Sequence, residues 1–290
     1  MKVSIIGTGV VGKATGVGFL RSGHEVVFYD IDKNKLRALE GEGLIVTESL
    51  DEVNGCDVHM ICVPTPAPNG RMDFSIIEAA VTELAKALIK QDKHQVIAIR
   101  STVLPLTTKD RIIPLVKCNC RLSLGKQYSV CHNPEFMRDA NALEDFLHPP
   151  IIVIGTNDKP SADIMKRLYA PFNAPLLVTT IENAEAIKIF SNVYNTTKIS
   201  FFNELYIIAE RLGLDQEIIS QALTKSSLGV RIPEYYTHGG RPFYGKCLPK
   251  DLAAFIILLT EQELNPGFFE EVNKINETMK IRKTGRKSSQ

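Results

Sequence analysis

The sequence predicts an α/β fold in which a parallel sheet comes first and a mostly α-helical domain built on one long helix follows. Over the first 180 residues, short β-rich runs alternate with helical patterns, which is typical of a parallel sheet covered by helices. Residues 182–212 then form a helical pattern that contains neither proline nor glycine. The change of pattern near residue 181 predicts two domains.

Six strands are predicted in the first domain, at residues 3–6, 25–29, 58–63, 95–99, 128–131 and 151–154. The clearest helical patterns between them cover residues 10–21, 75–89 and 107–117. Residues 64–70 contain three prolines and an Asn-Gly pair, which predict a loop because neither feature suits a regular element.

The second domain is predicted to be helical, with helices at residues 182–212, 216–223, 248–261 and 266–279. Gly213 ends the long helix and Asp215 caps the next one. We expect domains at 1–180 and 181–279, then a basic tail at 280–290. A helix of about thirty residues spans roughly 45 Å, which is long for a small domain and favours a homodimer.

Composition excludes several classes of protein. The net charge is +1, so we expect neither nucleic acid nor a membrane surface as the main partner. No apolar run reaches the length of a membrane span, and the N-terminus runs directly into a strand, which leaves no room for a signal peptide. The six cysteines lack paired ligand spacings, so we expect no metal site and a reducing cytoplasmic location.

A glycine-rich turn, Gly7-Thr8-Gly9-Val10-Val11-Gly12, follows the first strand and opens the first helix. This is the context of the dinucleotide-binding turn of Rossmann-type domains. Gly7 allows the tight turn, Gly9 lets the pyrophosphate approach, and Gly12 lets the helix pack on the sheet. The helix start at Val10 and Val11 supplies backbone N–H groups to the phosphates.

Asp30 ends the second predicted strand, eighteen residues after Gly12. A carboxylate there accepts hydrogen bonds from the adenosine ribose and repels a 2′-phosphate, so NAD is favoured over NADP. Lys33 and Lys35 lie nearby and soften that discrimination.

Residues 245–251 read Gly-Lys-Cys-Leu-Pro-Lys-Asp and precede an apolar helix. A helix start favours a thiolate, which makes Cys247 a candidate nucleophile. Lys250 and Asp251 lie three and four residues further on, hence on the same face. A dinucleotide cofactor and an activated thiol indicate oxidation through a covalent intermediate; the alternative is a buried cysteine followed by a surface Lys-Asp pair.

Further polar candidates lie on the long helix and at strand ends. Glu185, Lys188 and Asn192 share one helix face, where the lysine is a candidate for stabilising an oxyanion; a solvated stripe is the alternative. Glu135 follows a strand and is a candidate acid or base, and the Ser101 and Thr102 hydroxyls end another strand.

The motifs taken together are similar to those of the nucleotide-sugar 6-dehydrogenases. They are GTGVVG at 7–12, YDID at 29–32, VPTP at 63–66, RST at 100–102, NPEFMRDA at 133–140, ENAEAIKIFSN at 182–192, FNE at 202–204 and GKCLPKD at 245–251. The resemblance runs in order across almost the whole chain.

This resemblance implies a four-electron oxidation of the C6 alcohol of a nucleotide sugar to the uronate, UDP-glucose to UDP-glucuronate, with reduction of two NAD⁺. By the same resemblance Cys247 would trap the aldehyde as a thiohemiacetal and then carry a thioester. Lys188 would stabilise the oxyanion, and Glu135 would act as acid or base. Thr102 and Asp251 would place the water or relay a proton, and Asn192 would donate a hydrogen bond.

The resemblance also implies the binding residues. Those expected to bind NAD, besides the glycine-rich turn and Asp30, are Lys35, Pro64, Thr65, Ser101, Thr102 and Lys250. Those expected to bind the nucleotide sugar are Glu135, Phe136, Met137, Arg138, Lys188, Asn192, Phe243, Gly245, Cys247 and Arg231, the last reaching the neighbouring subunit's site in a homodimer.

Two departures from the family pattern keep alternatives open. Tyr244 replaces the first glycine of a pair that the family usually has before its cysteine. The family's usual C-terminal domain, which binds the nucleotide, is expected to be absent. The alternatives are a weakly active remnant that binds NAD or dimerises, and a two-electron dehydrogenase of the hydroxyacid type.

Overall fold

In a computed structural model of the protein, which describes residues 1–89, 91–226, 239–245 and 247–287, the chain divides into two units. The first comprises Met1–Pro66 and Asp73–Lys188, and the second comprises Ala67–Met72 and Ile189–Gln290.

An eight-stranded sheet forms the centre of the first unit, with strand order β3-β2-β1-β4-β5-β6-β7-β8. The strands are β1 Lys2–Ile6, β2 Glu25–Tyr29, β3 Val46–Thr47, β4 Val58–Ile61, β5 Gln95–Ile99, β6 Tyr128–His132, β7 Ile152–Gly155 and β8 Leu176–Thr179. All neighbours are parallel except β6 and β7, which pair antiparallel at His132 and Gly155.

Six α-helices accompany this sheet: α1 Val10–Arg21, α2 Lys33–Gly41, α3 Ser75–Ala87, α4 Ile113–Asn119, α5 Ala142–Leu147 and α6 Lys159–Leu168. A π-helical turn, Thr108–Ile112, leads into α4. Side chains cap two of the starts, since Asp32 accepts from Asn34 N at α2 and Asp158 accepts from Ser161 N at α6. Caps of this kind satisfy N–H groups that lack a partner within the helix.

The core of the first unit lies on the two faces of the sheet. Strand β4 is buried along its whole length, as are β5 and β6, which suits parallel strands covered on both sides. One apolar cluster is centred on Phe19 and Phe28 and the other on Val81 and Ile97. The covered faces leave the carboxyl ends of the strands as the natural place for a site.

Four helices form the second unit: α7 Ile181–Leu212, whose residues 181–188 belong to the first unit, α8 Gln216–Ser226, α9 Leu248–Glu261 and α10 Gly267–Lys287. Within this unit, the ring of Phe255 on α9 lies 5.6 Å from that of Phe190 and 5.0 Å from that of Phe269. The Ala67–Met72 segment packs here too, with Arg71 paired to Glu261 at 2.6 Å.

The predicted fold class is confirmed, and the six predicted strands are all present within two residues of their expected ends. The sequence did not indicate β3, β8, α2, α5 or α6. The last helix continues to Lys287, past its expected end at residue 279. None of the helices in the described ranges is long and apolar enough to cross a membrane.

Candidate active site

The glycine-rich turn between β1 and α1 forms a cradle that side chains would fill. A Cβ on Gly12 would lie 1.9 Å from the Gly7 carbonyl oxygen, and one on Gly7, whose φ is +95°, would lie 2.9 Å from the Cys62 backbone. At Gly9, no atom of the described residues lies within 4 Å of the corresponding position. The turn is therefore tightly packed at Gly7 and Gly12 and open at Gly9, which fits a pyrophosphate at the helix N-terminus.

The Asp30 carboxylate ties this turn to the end of β2. Its Oδ2 accepts hydrogen bonds from Thr8 N at 2.7 Å and Thr8 Oγ1 at 2.8 Å, and its Oδ1 accepts from Asp32 N at 2.9 Å. Lys35 Nζ lies 3.6 Å from Asp30 Oδ2. Burial alone would raise the pKa of Asp30, but these hydrogen bonds and Lys35 outweigh it and lower the pKa. Asp30 is therefore an anion beside the glycine-rich turn.

The loops after β4 and β5 are held together by two hydroxyl groups. Ser101 Oγ donates to the Val63 carbonyl at 2.7 Å, and Thr65 Oγ1 donates to the Thr102 carbonyl at 2.6 Å. The exposed Pro64 lies in the same loop. The structure thus brings together the predicted cofactor residues of two neighbouring strand ends.

A buried ion pair joins Glu135, after β6, to Lys188 on α7. Glu135 Oε1 lies 2.8 Å from Lys188 Nζ, with side chains 8% and 5% exposed, and Glu135 Oε2 accepts from Met137 N. The Phe136 ring lies 5.7 Å from the ammonium. Burial favours a neutral carboxyl, but Lys188, the Met137 N–H and Arg100 outweigh it and lower the pKa of Glu135. Glu135 is therefore held as a carboxylate beside Lys188.

Arg100 and Asn133 line a pocket with Glu135, and Arg100 also binds the helix that follows the glycine-rich turn, a role that the sequence did not reveal. Arg100 donates to Thr15 Oγ1 on α1 at 2.9 Å and to Asn133 Oδ1 at 2.9 Å, while the Tyr169 hydroxyl donates to the same Asn133 oxygen at 2.6 Å. A pocket opens here, with Arg100, Glu135 and Tyr169 among its lining residues. The sequence signal for Arg100 is the RST motif at residues 100–102, which contains it but does not indicate its partners.

Glu185, one turn before Lys188 on α7, uses both carboxylate oxygens on backbone N–H groups. Oε2 accepts from Leu106 N and Oε1 from Thr108 N, each at 2.7 Å. Burial raises the pKa of Glu185 to about 7 in spite of these hydrogen bonds. Helix α7 is thereby tied to the segment that follows Thr102.

In the second unit, four predicted residues meet around the first turn of α9. Asn192 Nδ2 donates to Asp251 Oδ2 at 2.6 Å. Lys250 Nζ lies 2.8 Å from Asp251 Oδ1, as an ion pair whose angles are not those of a hydrogen bond. Cys247 is exposed immediately before the helix, and its carbonyl accepts from Asp251 N at 2.8 Å. A buried carboxylate thus orients the amine and the amide beside an accessible cysteine.

The remaining predicted residues lie in different settings. Arg138 pairs with Asp145 through Nε at 2.9 Å and Nη2 at 2.7 Å. Phe243 is buried, and its N–H donates to Asn276 Oδ1 at 2.8 Å, whereas Gly245 has a φ of +91°. Val10, Val11 and Met137 are at least partly exposed, and Arg231 lies outside the described residues.

Comparison with known proteins places these features in a family. Residues 1–53 and 41–173 match the NAD binding domain, and residues 182–278 the central domain, of the UDP-glucose/GDP-mannose dehydrogenase family. The chain is 32% identical to a GDP-mannose 6-dehydrogenase of Pseudomonas putida, over 96% of this chain and 68% of the relative. It is 30% identical to UDP-glucose 6-dehydrogenase AglM of Haloferax volcanii, over 96% and 70%.

Solved structures agree with this assignment. The structure of a UDP-glucose dehydrogenase from the archaeon Pyrobaculum islandicum matches with a TM-score of 0.86 and 33% identity, over 96% of this chain and 68% of that chain. A GDP-mannose dehydrogenase from Pseudomonas aeruginosa matches with a TM-score of 0.74 and 29% identity, over 100% and 71%.

The chain spans 63% of the length of the Pseudomonas aeruginosa GDP-mannose 6-dehydrogenase that it matches, compared with 68% for the Pseudomonas putida relative. The matches nevertheless cover both domains described above, the NAD-binding one and the central one. The chain therefore belongs to the UDP-glucose/GDP-mannose dehydrogenase family.

Proposed function

We propose that this chain oxidises the C6 primary alcohol of a nucleotide sugar to a carboxylate with NAD⁺, with UDP-glucose as the first candidate substrate. The observation that carries the proposal is the accessible Cys247 at the start of α9, beside the Asp251 cluster, in a chain of this family. An oxidation that stops at the ketone or aldehyde needs no thiol. In a four-electron oxidation, a thiol gives the aldehyde a covalent adduct from which a second hydride can leave.

NAD would be held by the glycine-rich turn, with Asp30 at its adenosine end and the loops of Thr65 and Ser101 nearby. When bound, the nicotinamide ring supplies a hydride acceptor. The cradle above Gly9 suits its pyrophosphate, since the backbone N–H groups that open α1 point toward it and favour negative charge. The anionic Asp30 favours a free ribose 2′-hydroxyl over a phosphate.

Cys247 would make the second oxidation possible. The aldehyde carbon formed by the first oxidation carries a hydrogen but no hydroxyl group, so a second hydride cannot leave until a nucleophile has added to it. Addition of the thiolate to the aldehyde carbon forms a C–S bond and, after the oxygen takes a proton, a thiohemiacetal. Loss of the hydroxyl proton and of a hydride, which a second NAD⁺ would accept, leaves a thioester. Water then attacks the carbonyl, the C–S bond breaks, and the uronate and the Cys247 thiolate are released.

Lys188 and Glu135 would manage the charge and the protons of these steps. The buried Lys188 ammonium stabilises the oxyanion more strongly than an exposed one, because little water screens it. Glu135 enters the cycle as a carboxylate, since Lys188 and the Met137 N–H lower its pKa. In that form it would accept a proton from the attacking water, while Thr102 and Asp251 help to place that water.

We also propose a homodimer built on α7. Large apolar side chains stay exposed along its second-unit part: Phe190 53%, Tyr194 56%, Phe201 54%, Ile208 46% and Leu212 65%. Their spacings of four and seven residues place them along one stripe of the helix. An exposed apolar stripe on a 32-residue helix favours a second copy as its occupant, and Arg231 would then reach the partner's substrate.

The test is the yield of NADH per molecule of UDP-glucose consumed, with GDP-mannose run in parallel. We expect two NADH per sugar from the wild type and at most one from Cys247→Ser. Cys118→Ser is a matched control, because Cys118 is also exposed, and it should keep the yield of two. One NADH per sugar in the wild type would indicate a two-electron dehydrogenase. Binding of NADH without turnover of either nucleotide sugar would indicate a weakly active remnant that binds NAD.

A further inference from the structure

We propose that Glu185 is a positioning residue that fastens the segment after Thr102 to helix α7 and so fixes Thr102 relative to Lys188. The inference rests on the proposed function, since Thr102 and Lys188 are the residues through which Glu185 would act. Nothing in the proposed chemistry uses Glu185 itself.

The geometry of the contact suits a carboxyl group, whose two oxygens can each accept a hydrogen bond. Glu185 is fully buried, and its two oxygens accept from Leu106 N and Thr108 N at 2.7 Å each. A glutamine has one acceptor oxygen and an NH₂ group that only donates. It would satisfy one of the two N–H groups and present a donor to the other.

The charge of Glu185 is costly where it lies. Among the described residues, no lysine or arginine lies within 4.0 Å of its carboxylate, and the charged group that perturbs it is another acid, Glu182. Burial of an unpaired carboxylate is unfavourable, consistent with the raised pKa. Helix packing alone would be served better by an apolar side chain, so the two backbone contacts are the reason for an acid.

The segment that Glu185 holds is strained. Leu106 has a φ of +75°, a left-handed conformation that is unfavourable for a leucine. Its side chain is 48% exposed, so packing of that side chain does not hold the backbone there. The two N–H groups bound by Glu185 lie at Leu106 itself and two residues later. The carboxylate is therefore placed to hold the strained turn.

The held segment connects two parts of the proposed site. It begins at Thr102, whose carbonyl accepts from Thr65 Oγ1 at 2.6 Å in the neighbouring loop. Lys188 lies one helical turn after Glu185 on α7, on the same face. A shift of the segment would move Thr102 away from its place relative to Lys188 without breaking the Lys188–Glu135 ion pair.

The experiment compares Glu185→Gln with Glu182→Gln, a matched control on the same helix that removes the same charge from a partly exposed glutamate. Hydrogen exchange of the peptide that contains Leu106 and Thr108 reads the contact directly. We expect exchange there at least tenfold faster in Glu185→Gln. We also expect a kcat at least tenfold lower with KM within threefold of wild type, and no change in Glu182→Gln.

A second variant separates positioning from general loss of structure. Leu106→Gly relieves the left-handed strain, since glycine adopts positive φ readily. Added to Glu185→Gln, it should recover at least threefold in kcat, which a structural role of Glu185 in helix packing would not produce. If Glu185→Gln does not fold, the double variant is compared with Leu106→Gly alone, and the kcat of the double variant should be lower by less than the tenfold expected for Glu185→Gln.

Unchanged exchange at residues 106–108, or a kcat within twofold of wild type, would overturn the proposal. The exchange measurement needs no turnover, so its outcome is independent of the proposed function. If the wild type oxidises no nucleotide sugar, the proposed function fails. The exchange rates then still decide whether Glu185 holds this segment.

Discussion

Replacement of Lys188 by methionine should destabilise the protein strongly, because it would leave a buried carboxylate without its counterion. The two charged atoms are 2.8 Å apart, and the side chains of Glu135 and Lys188 are 8% and 5% exposed. In the variant, the Glu135 carboxylate would keep its hydrogen bond to Met137 N. That hydrogen bond does not replace a full positive charge.

The magnitude follows from the distance and the burial. At 2.8 Å and an effective dielectric constant of about 20, the Coulomb attraction is about 6 kcal/mol. Desolvation of two ions cancels much of it, so the net value of the intact pair is small. Removal of Lys188 alone should lower the free energy of unfolding by about 3–5 kcal/mol, because the desolvation penalty of Glu135 remains. Glu135→Gln together with Lys188→Met should cost less than the sum of the singles, with a coupling of roughly 2 kcal/mol or more.

Urea unfolding at pH 8 and pH 5 measures this effect and its sign. In the wild type the folded pKa of Glu135 is below its ordinary value of 4.5, so the pair stabilises above that pH and loses its contribution as the pH falls through the folded pKa. Without Lys188, burial raises the pKa, so the defect should shrink toward pH 5. A cost of Lys188→Met below about 1 kcal/mol at pH 8, or free energies of the two single variants that simply add in the double variant, would show that Glu135 does not depend on Lys188 as its counterion.

Three further predictions concern other parts of the chain. Gly12→Ala should weaken NADH binding at least tenfold in a fluorescence titration, because its Cβ would lie 1.9 Å from the Gly7 oxygen; Gly41→Ala, which meets no described atom within 4 Å, should not. Phe201→Asp should halve the mass measured by light scattering if α7 forms the dimer. The free energy of unfolding of the wild type should fall as the pH rises from 4.5 to about 7, because the Glu185 carboxyl has a higher pKa in the folded state than in the unfolded state. Chemical denaturation should show a decrease of about 3 kcal/mol at most from this group. This decrease should be absent in Glu185→Gln.

The sequence predicted the central strands well because their composition alone identifies them. Strand β5 is buried at every residue, and such apolar runs between turn signals are visible without a structure. The two-residue β3 exists through its pairing with Phe28 and Tyr29 on β2, which no local pattern encodes. The antiparallel direction of β7 depends on the path of the preceding connection, so alternation of elements could not reveal it.

The sequence identified candidate site residues that belong to contiguous motifs. It did not identify hydrogen bonds between residues that are far apart in the chain. The glycine-rich turn and the Cys247 segment are each contiguous in the sequence. The hydrogen bonds from Leu106 and Thr108 to Glu185 join residues 79 and 77 positions apart, and those of Arg100 reach Thr15 and Asn133. A helix-face pattern placed Glu185 beside Lys188 but did not identify the backbone groups that it binds.

Detection of the covalent intermediate on Cys247 tests the proposed four-electron oxidation most directly. The protein is mixed with NAD⁺ and UDP-glucose, quenched in acid within one turnover, digested, and its peptides are weighed by mass spectrometry. We expect a UDP-glucuronyl thioester on the Cys247 peptide of the wild type and none in Cys247→Ser. Two NADH per sugar with no adduct on that peptide, or with full yield in Cys247→Ser, would contradict it.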